Sequence, residues 1–546
     1  MKEWTIMVYM AGDNNLSENM AYSLADLDAG FNDSGLGTAD KVNLLAFFDS
    51  ASLTAPTTYF DYSDGKTIAH PIEPDDIYHK KRNTPPPDEY DLDGNAASAY
   101  SIMNFVRWCI ETRERTATNY ALIFSGHSFG FHGTSFLRDE SSGGFMTLFK
   151  FRWALEEVMK QYLGNKQIAI LGFDSCVMSM LEVAYEIKNT AQTMVASEGS
   201  LPNSGWGYAP LLRRFVGTFG KEQRADNKSF NAWIETDDYV KEAAKSFVTA
   251  FVEHHNRLLI GGRSVDIAAW DLGRIKEVCT SFNDLASGLN EVLDLAPKIN
   301  DAGITDDDIF LYHELKKVVL QSQFDAQAYM KNQCVDLYDF CERLSSECEF
   351  MGRSPFAGAF ESIGKAADQV RAAVDACILK AGFSGEEYQF SNGISVYFPW
   401  TYLTYRLTDH RYRYLRVNRG GRENKEGICA EWNRFLGNYL SRVTFRLARD
   451  GKDRVRPAVA SDGAETPAWS KDNPRWTKDN PRWTKDNPPL CKDNPRFNRD
   501  NPRFNRGEVG EYLFYFERFK NFQLGWDITG YAEDFKEDKK VPAAAK

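Results

Sequence analysis

The sequence predicts an α/β fold: a mostly parallel sheet flanked by helices, then a helical C-terminal extension and a repetitive tail. Three observations carry this. Short apolar runs bounded by Gly and polar residues recur through the first 200 residues, as buried parallel strands do. Amphipathic stretches alternate with them, the pattern of strand–helix–strand units. Beyond Asp450 the texture changes to a Pro-bearing repeat that forbids a continuous helix or a central strand.

Strands are expected at Thr5–Met10, Val42–Phe48, Tyr120–Phe124, Ile168–Phe173 and Thr193–Ser197, and again at Val265–Trp270. Between them, Ala97–Arg115, Phe151–Leu163 and Val177–Lys188 read as helices, the last with Met180, Leu181, Ala184 and Ile187 on one apolar stripe. Helices are then expected at Asp271–Val292, Asp306–Leu320, Val335–Leu344, Gly364–Ala381 and Trp432–Phe445. The run Gly393–Pro399 reads as a strand that stops at proline. These signals divide the chain into 1–260, 261–448 (mostly helical), a repeat-bearing linker 449–506, and an aromatic-rich segment 507–546.

A chain of 546 residues exceeds one ordinary core, so more than one domain is expected. The net charge of −12 argues against nucleic-acid binding by the body. No apolar stretch is long enough to span a bilayer, so no membrane role is expected. Trp4–Met10 reads as a first strand and not as a leader, which points to the cytoplasm unless a leader has been removed. The nine cysteines are scattered without a CxxC pair, so neither a disulfide framework nor a zinc site is expected. Cys334, Cys341 and Cys348 fall seven apart, and the spacing suggests one helix face of small apolar core residues.

Five Asp-Asn-Pro triplets begin at Asp472, Asp479, Asp486, Asp493 and Asp500. Asn before Pro avoids the α region and favours turns. Residues 471–506 hold ten Lys/Arg against five Asp, so the segment is basic on an acidic protein. It is a linker expanded by duplication, or it offers Arg–aromatic pairs to a protein partner several times over, or it makes electrostatic contact with nucleic acid or a membrane.

Two of the apolar runs end in groups that do chemistry. Tyr120–Phe124 is followed by Ser125-Gly126-His127, and Ile168–Phe173 by Asp174-Ser175-Cys176. In open α/β sheets, ligand sites lie outside the carboxyl ends of the strands. An imidazole and a thiol brought to one crevice are what cysteine nucleophilic catalysis needs. His132 is a rival base, but it lies further from the end of its run.

With these residues in view, the chain resembles the clostripain-like cysteine peptidases, a family of caspase-fold enzymes. The matching segments, in family order, are Trp4–Leu16, the His127 block, Asp174–Met178, Val195–Glu198 with Pro202 and Gly205-Trp206, Val335–Tyr338, and Asn392–Pro399. They cover roughly residues 1–447; the repeats fall outside. The resemblance implies a cysteine endopeptidase acting on peptides or proteins through a dyad, with His127 as base and acid and Cys176 as nucleophile. It implies an oxyanion hole from the backbone N–H groups of Cys176 and Ser128. The family usually has Gly at the latter position, so Ser there is expected to be strained if it takes a glycine angle. It implies that Asp174 lines the S1 pocket and selects Arg or Lys, with Ser197 and Glu198 as further walls; helix capping is the structural alternative for Asp174. Relatives can be activated by cleavage between the His and Cys blocks, and Arg138, Lys150 and Arg152 are the basic residues between the start of the polar loop 138–144 and the next helix. No cofactor is expected. Some relatives use calcium, for which Asp13, Asp139 and Glu140 are candidate ligands, but no defined calcium loop is present and surface solvation is the expected role of all three. The alternative to an enzyme is a silent caspase-like scaffold that recruits partners through its repeats.

Overall fold

The computed structural model describes residues 2–33, 41–51, 56–63, 67–72, 95–131, 136–219, 236–257, 264–295, 306–329, 333–351, 357–402, 404–405, 429–443, 445–447 and 455–457. His132, the Asp-Asn-Pro repeats and the segment 507–546 lie outside these residues. The chain divides into two compact units, Met1–Glu277 with Val374–Ser395, and Val278–Ala373 with the residues from Val396 on.

The strands, in chain order, are β1 (Lys2–Gly12), β2 (Val42–Ser50), β3 (Thr58–Asp61), β4 (Ile68–Pro71), β5 (Ala117–Ser125), β6 (Ile168–Asp174), β7 (Ala191–Ala196), β8 (Val265–Asp271), β9 (Ala328–Tyr329), β10 (Cys334–Asp336), β11 (Ile378–Ser384) and β12 (Ser395–Tyr397). The first unit is built on a nine-stranded sheet of order β11-β8-β7-β6-β5-β1-β2-β3-β4. Its centre, β2-β1-β5-β6-β7, is parallel. The β3–β4 hairpin extends one side antiparallel, and β8 and β11 extend the other. The parallel centre matches the expected fold class. Of the antiparallel strands β8 was expected, whereas β3, β4 and β11 were not legible: β3 is four residues long, and β4 and β11 are largely exposed or half-buried without a continuous apolar run.

The runs at the sheet's centre are unbroken because both faces are covered. On one face Trp4, Ile6, Val8 and Met10 of β1 join a core with Leu27 and Phe31 of α1 (Ser17–Asp33). Alternate residues point the other way. There Tyr9 stacks on Phe47 at 4.2 Å, and Phe124 meets Phe151 edge-on at 4.8 Å. Ala99–Arg107 forms α2 and Leu148–Tyr162 forms α3, capped by Ser98 and Thr147, whose side chains accept from the N–H of Tyr100 and Lys150. The predicted helix 97–115 ends instead in a π turn at Trp108–Thr112. Helices α4 (Leu181–Ile187), α5 (Tyr208–Phe219) and α6 (Asp237–Arg257) complete this unit.

The second unit is mostly helical, with most of α7 (Ile275–Leu293), α8 (Asp306–Asp325), α9 (Leu337–Met351), most of α10 (Ala357–Cys377) and α11 (Ala430–Val443). The Trp432 indole donates to the Tyr397 carbonyl at 3.0 Å, and its rings pack on Phe398 at 5.0 Å and Phe435 at 4.8 Å. Two predicted helices need correction. Cys334–Asp336 is a strand, and the helix starts at Leu337, where the Asp336 carboxylate accepts from the N–H of Asp339 at 2.8 Å. Cys334 therefore does not share a helix face with Cys341 and Cys348, although all three are buried. The helix expected to reach Ala381 stops at Cys377, because Ile378–Ser384 pairs with β8. No disulfide joins two of the described cysteines, and no described helix is long and apolar enough to cross a membrane.

Candidate active site

The register of the sheet brings the two reactive groups to matching places. Ser125 at the end of β5 pairs with Asp174 at the end of β6, and His127 and Cys176 each stand two residues further on. The loops behind them pack together. Gly126 N–H donates to the Asp174 carbonyl at 3.3 Å, and Ser128 Oγ lies 2.6 Å from Met178 Sδ. Gly130 has φ +61, and a Cβ there would meet the Val177 carbonyl at 2.6 Å and Met180 Sδ at 2.4 Å. Only glycine allows this approach. The strand order also reverses between β1 and β5, the place where open α/β sheets form a crevice.

Ser128 keeps a negative φ, so the expected strain is not there. It falls instead on Val177, directly after the thiol, with φ +58. A left-handed β-branched residue costs about 1–2 kcal/mol. It is held by the fully buried Val177 side chain and by its N–H, which donates to the Gly199 carbonyl at 3.0 Å. That conformation also corrects the predicted helix Val177–Lys188. Met180 is extended and bridges Ser395, and the helix begins at Leu181. Cys176 therefore does not sit at a helix N-terminus. Its half-buried sulfur instead accepts the Leu201 N–H at 3.3 Å and lies 3.9 Å from the Leu201 carbonyl oxygen.

His127 is half-buried, and its Nε2 lies 2.6 Å from Asn15 Oδ1. Burial first, then the nearby Arg138 guanidinium, push its pKa down to about 4, so the ring is neutral over the ordinary pH range. A neutral imidazole can take a proton from a thiol.

Asp174 is 5% exposed and accepts three hydrogen bonds. Ser125 Oγ donates to Oδ2 at 3.0 Å, Tyr208 OH to Oδ2 at 2.9 Å, and Trp206 N–H to Oδ1 at 2.9 Å. Burial pushes its carboxyl up to about 6 despite these donors. The capping alternative does not hold, because the donors come from elsewhere and α4 begins beyond Met180. Ser197 is fully buried, and its Oγ has no partner among the described residues. Glu198, also fully buried, accepts the Gly393 N–H at 2.8 Å. Its own N–H and that of Gly199 donate to Asp266 at 2.7 and 2.8 Å, which braces this segment from β8.

Of the three basic residues considered for cleavage, Lys150 and Arg152 lie in α3, and Arg152 pairs with Glu186 at 2.6 Å. Arg138 stands in the loop, 3.6 Å from Glu140. Asp13 and Asp139 come together with Asp49, carboxylate oxygens within 4.8 Å of one another; Glu140 is not in that group. Burial, with the charges of Asp139 and Asp13, pushes Asp49 up to about 7 despite the Thr57 hydroxyl and Ala96 N–H that it accepts. Three buried carboxylates suit a hard divalent cation such as calcium.

Sequence reasoning did not single out Asn15, Asp49, Leu201 or Tyr208. Asn15 carried a local signal, a polar Asp13-Asn14-Asn15 cluster at a strand's carboxyl end. The other three meet the site only through folding.

The profile of the clostripain family, peptidase C11, matches residues 8–397. Clostripain of Hathewaya histolytica is 22% identical over 389 residues, which cover 64% of this chain and 67% of that protein. Among solved structures, a secreted C11 cysteine protease from Bacteroides thetaiotaomicron in complex with an irreversible peptide inhibitor aligns with 15% identity over 73% of this chain and 93% of that one, TM-score 0.46. An inactive zymogen C11 protease from Parabacteroides distasonis aligns with 16% identity over 73% and 92%, TM-score 0.45.

Proposed function

The chain belongs to the clostripain family and is a cysteine-type endopeptidase, and from that premise we propose that it cleaves peptide bonds after Arg or Lys through a His127–Cys176 dyad. The observation that supports the dyad is the register of β5 and β6, with both residues at the same offset beyond a paired Ser125 and Asp174. The family match favours the enzyme over a silent scaffold.

In the first half-reaction the Cys176 thiol gives its proton to His127 as sulfur bonds to the scissile carbonyl carbon, and the carbonyl π pair moves to oxygen. The oxyanion is received by the N–H groups of Cys176 and Ser128. Its collapse breaks the C–N bond, and the leaving amine takes the proton from His127. Water, deprotonated by His127, then splits the thioester, and the thiol is regenerated. Asp174 supports the preference for basic residues: a carboxylate accepting three hydrogen bonds still has a lone-pair site for a guanidinium or ammonium. Ser197 and Glu198 are the adjoining walls.

Self-cleavage within the loop is proposed after Arg138, which stands outside α3, whereas Lys150 and Arg152 would have to leave a helix to be cut. If calcium binds, Asp13, Asp49 and Asp139 hold it as a tie between loops, with no part in bond breaking. A relative is a secreted protease, so cell fractionation decides between cytoplasm and export. A role for residues 471–506 in recruiting a protein partner is proposed on charge alone.

The test is cleavage of fluorogenic Arg, Lys, Asp and Leu peptides by wild type, Cys176→Ala and Asp174→Asn, with intact masses before and after. Arg and Lys cleavage is expected, abolished in the first variant and losing its preference in the second. Equal turnover of Leu and Arg peptides by wild type would remove Asp174 as selector. A wild-type chain that stays intact while active would remove self-cleavage.

A further inference from the structure

We propose that Asn15 is a positioning residue for His127: its side-chain oxygen keeps the imidazole proton on Nε2, so Nδ1 is the nitrogen that exchanges a proton with the Cys176 thiol and the leaving amine. This rests on the dyad proposed above.

Asn15 Oδ1 lies 2.6 Å from His127 Nε2. A carbonyl oxygen can only accept, so Nε2 must donate, and in the neutral ring Nδ1 is then the bare nitrogen. The topology explains why a residue so distant in sequence reaches the ring. β1 and β5 are parallel neighbours, with Met10 opposite Ser125, and their carboxyl ends flank the point where strand order reverses. Asn15 follows the end of β1 as His127 follows the end of β5.

Asn15 itself is exposed, and a lone exposed amide would orient nothing. Its neighbours make it an anchored one. Asn14 Nδ2 donates to the Ala11 carbonyl at 2.9 Å and the Arg138 carbonyl at 3.0 Å, while Asn14 Oδ1 accepts the Leu16 N–H at 2.9 Å. The Asp13 carbonyl accepts the Glu140 N–H at 2.8 Å, and the Asp13 carboxylate the Ser141 N–H at 3.2 Å. Leu137 N–H returns to the His127 carbonyl at 3.2 Å. The turn carrying Asn15 is thus tied to the segment that follows His127, and the acceptor and the ring are held by one set of hydrogen bonds.

The choice of amide over carboxylate has a chemical consequence. The charged group that acts on His127 is Arg138, with Glu140 paired to it. A carboxylate at residue 15 would favour imidazolium, which cannot take the thiol's proton. An amide orients the ring and leaves it neutral.

The test uses the full chain. In ¹⁵N-histidine-labelled Cys176→Ala protein, with the His127 signal among the eight histidines assigned by its loss in His127→Gln, the Nε2–H tautomer is expected. Asn15→Ala in that background should give a mixture of tautomers. In the active chain, Asn15→Ala should lower kcat by roughly tenfold to a hundredfold with KM within about twofold, part of the roughly 10²–10⁴-fold that acid–base catalysis supplies. Asn15→Asp should restore much of kcat and move its acid limb to higher pH. A His127 signal already in the Nδ1–H form, or an alanine variant with unchanged kcat and tautomer, would overturn the assignment. The spectra need no turnover, so they decide about Asn15 even if Cys176→Ala proves that the dyad itself is wrong.

Discussion

If Asp174 selects basic residues by its charge, as proposed, removing one hydroxyl from its cluster should make that selectivity depend on pH near neutrality. In Tyr208→Phe the ring stays packed, and Asp174 loses the donor at 2.9 Å while keeping Ser125 and Trp206. A hydrogen bond to a charged acceptor contributes about 1.5–3 kcal/mol. At about 1.4 kcal/mol per pH unit, its loss moves the carboxyl's midpoint up by about one to two units. Asp174 begins at about 6 because it is buried, so the variant's midpoint falls at about 7–8. At neutral pH the wild-type carboxyl is mostly ionised, and the variant's is half or more protonated. The preference for Arg over Leu at pH 7 should therefore drop about twofold to tenfold and return at about pH 9. The assay is kcat/KM for matched Arg and Leu peptides across pH, on enzyme whose urea unfolding has been measured. If the limb stays in place, or selectivity falls equally at every pH, Asp174 does not select by its charge.

Other consequences can be checked with the same material. Val177→Gly relieves the left-handed angle while Val177→Ala keeps it, so Ala should be the more destabilising change, the reverse of the usual order, by about 1 kcal/mol in urea; the usual order would show that the angle carries no strain. Gly205→Ala combines φ +60 with a Cβ 2.7 Å from Asp174 Oδ2, and should cost about 2–4 kcal/mol; a cost below about 1 kcal/mol would mean the carboxylate is free to move aside. His127 acts as base only when neutral, so kcat should hold as pH falls until it approaches about 4, whereas kcat/KM for Arg peptides should already fall through about 6 as Asp174 protonates. A kcat limb near the ordinary histidine value would contradict the buried, Arg138-facing ring. Calcium should raise the melting temperature of wild type and not of Asp139→Asn; equal shifts would remove the three-aspartate site.

By itself the sequence determined the parallel centre of the sheet and the two residues most worth testing. Those strands are covered on both faces, so burial imposes a continuous apolar signal such as Ile168–Phe173, and reactive groups just beyond such runs are visible as motifs. It misjudged the start of the helix after Cys176. The apolar stripe Met180, Leu181, Ala184 and Ile187 is buried as expected, but periodicity cannot report a left-handed Val177 or a strand bridge at Met180. The thiol's backbone donor from Leu201, the three donors to Asp174, the aspartate group and the Asn15–His127 contact were decided by tertiary structure alone. Each joins groups from separate elements, and such contacts follow from strand order and register, which local pattern does not encode.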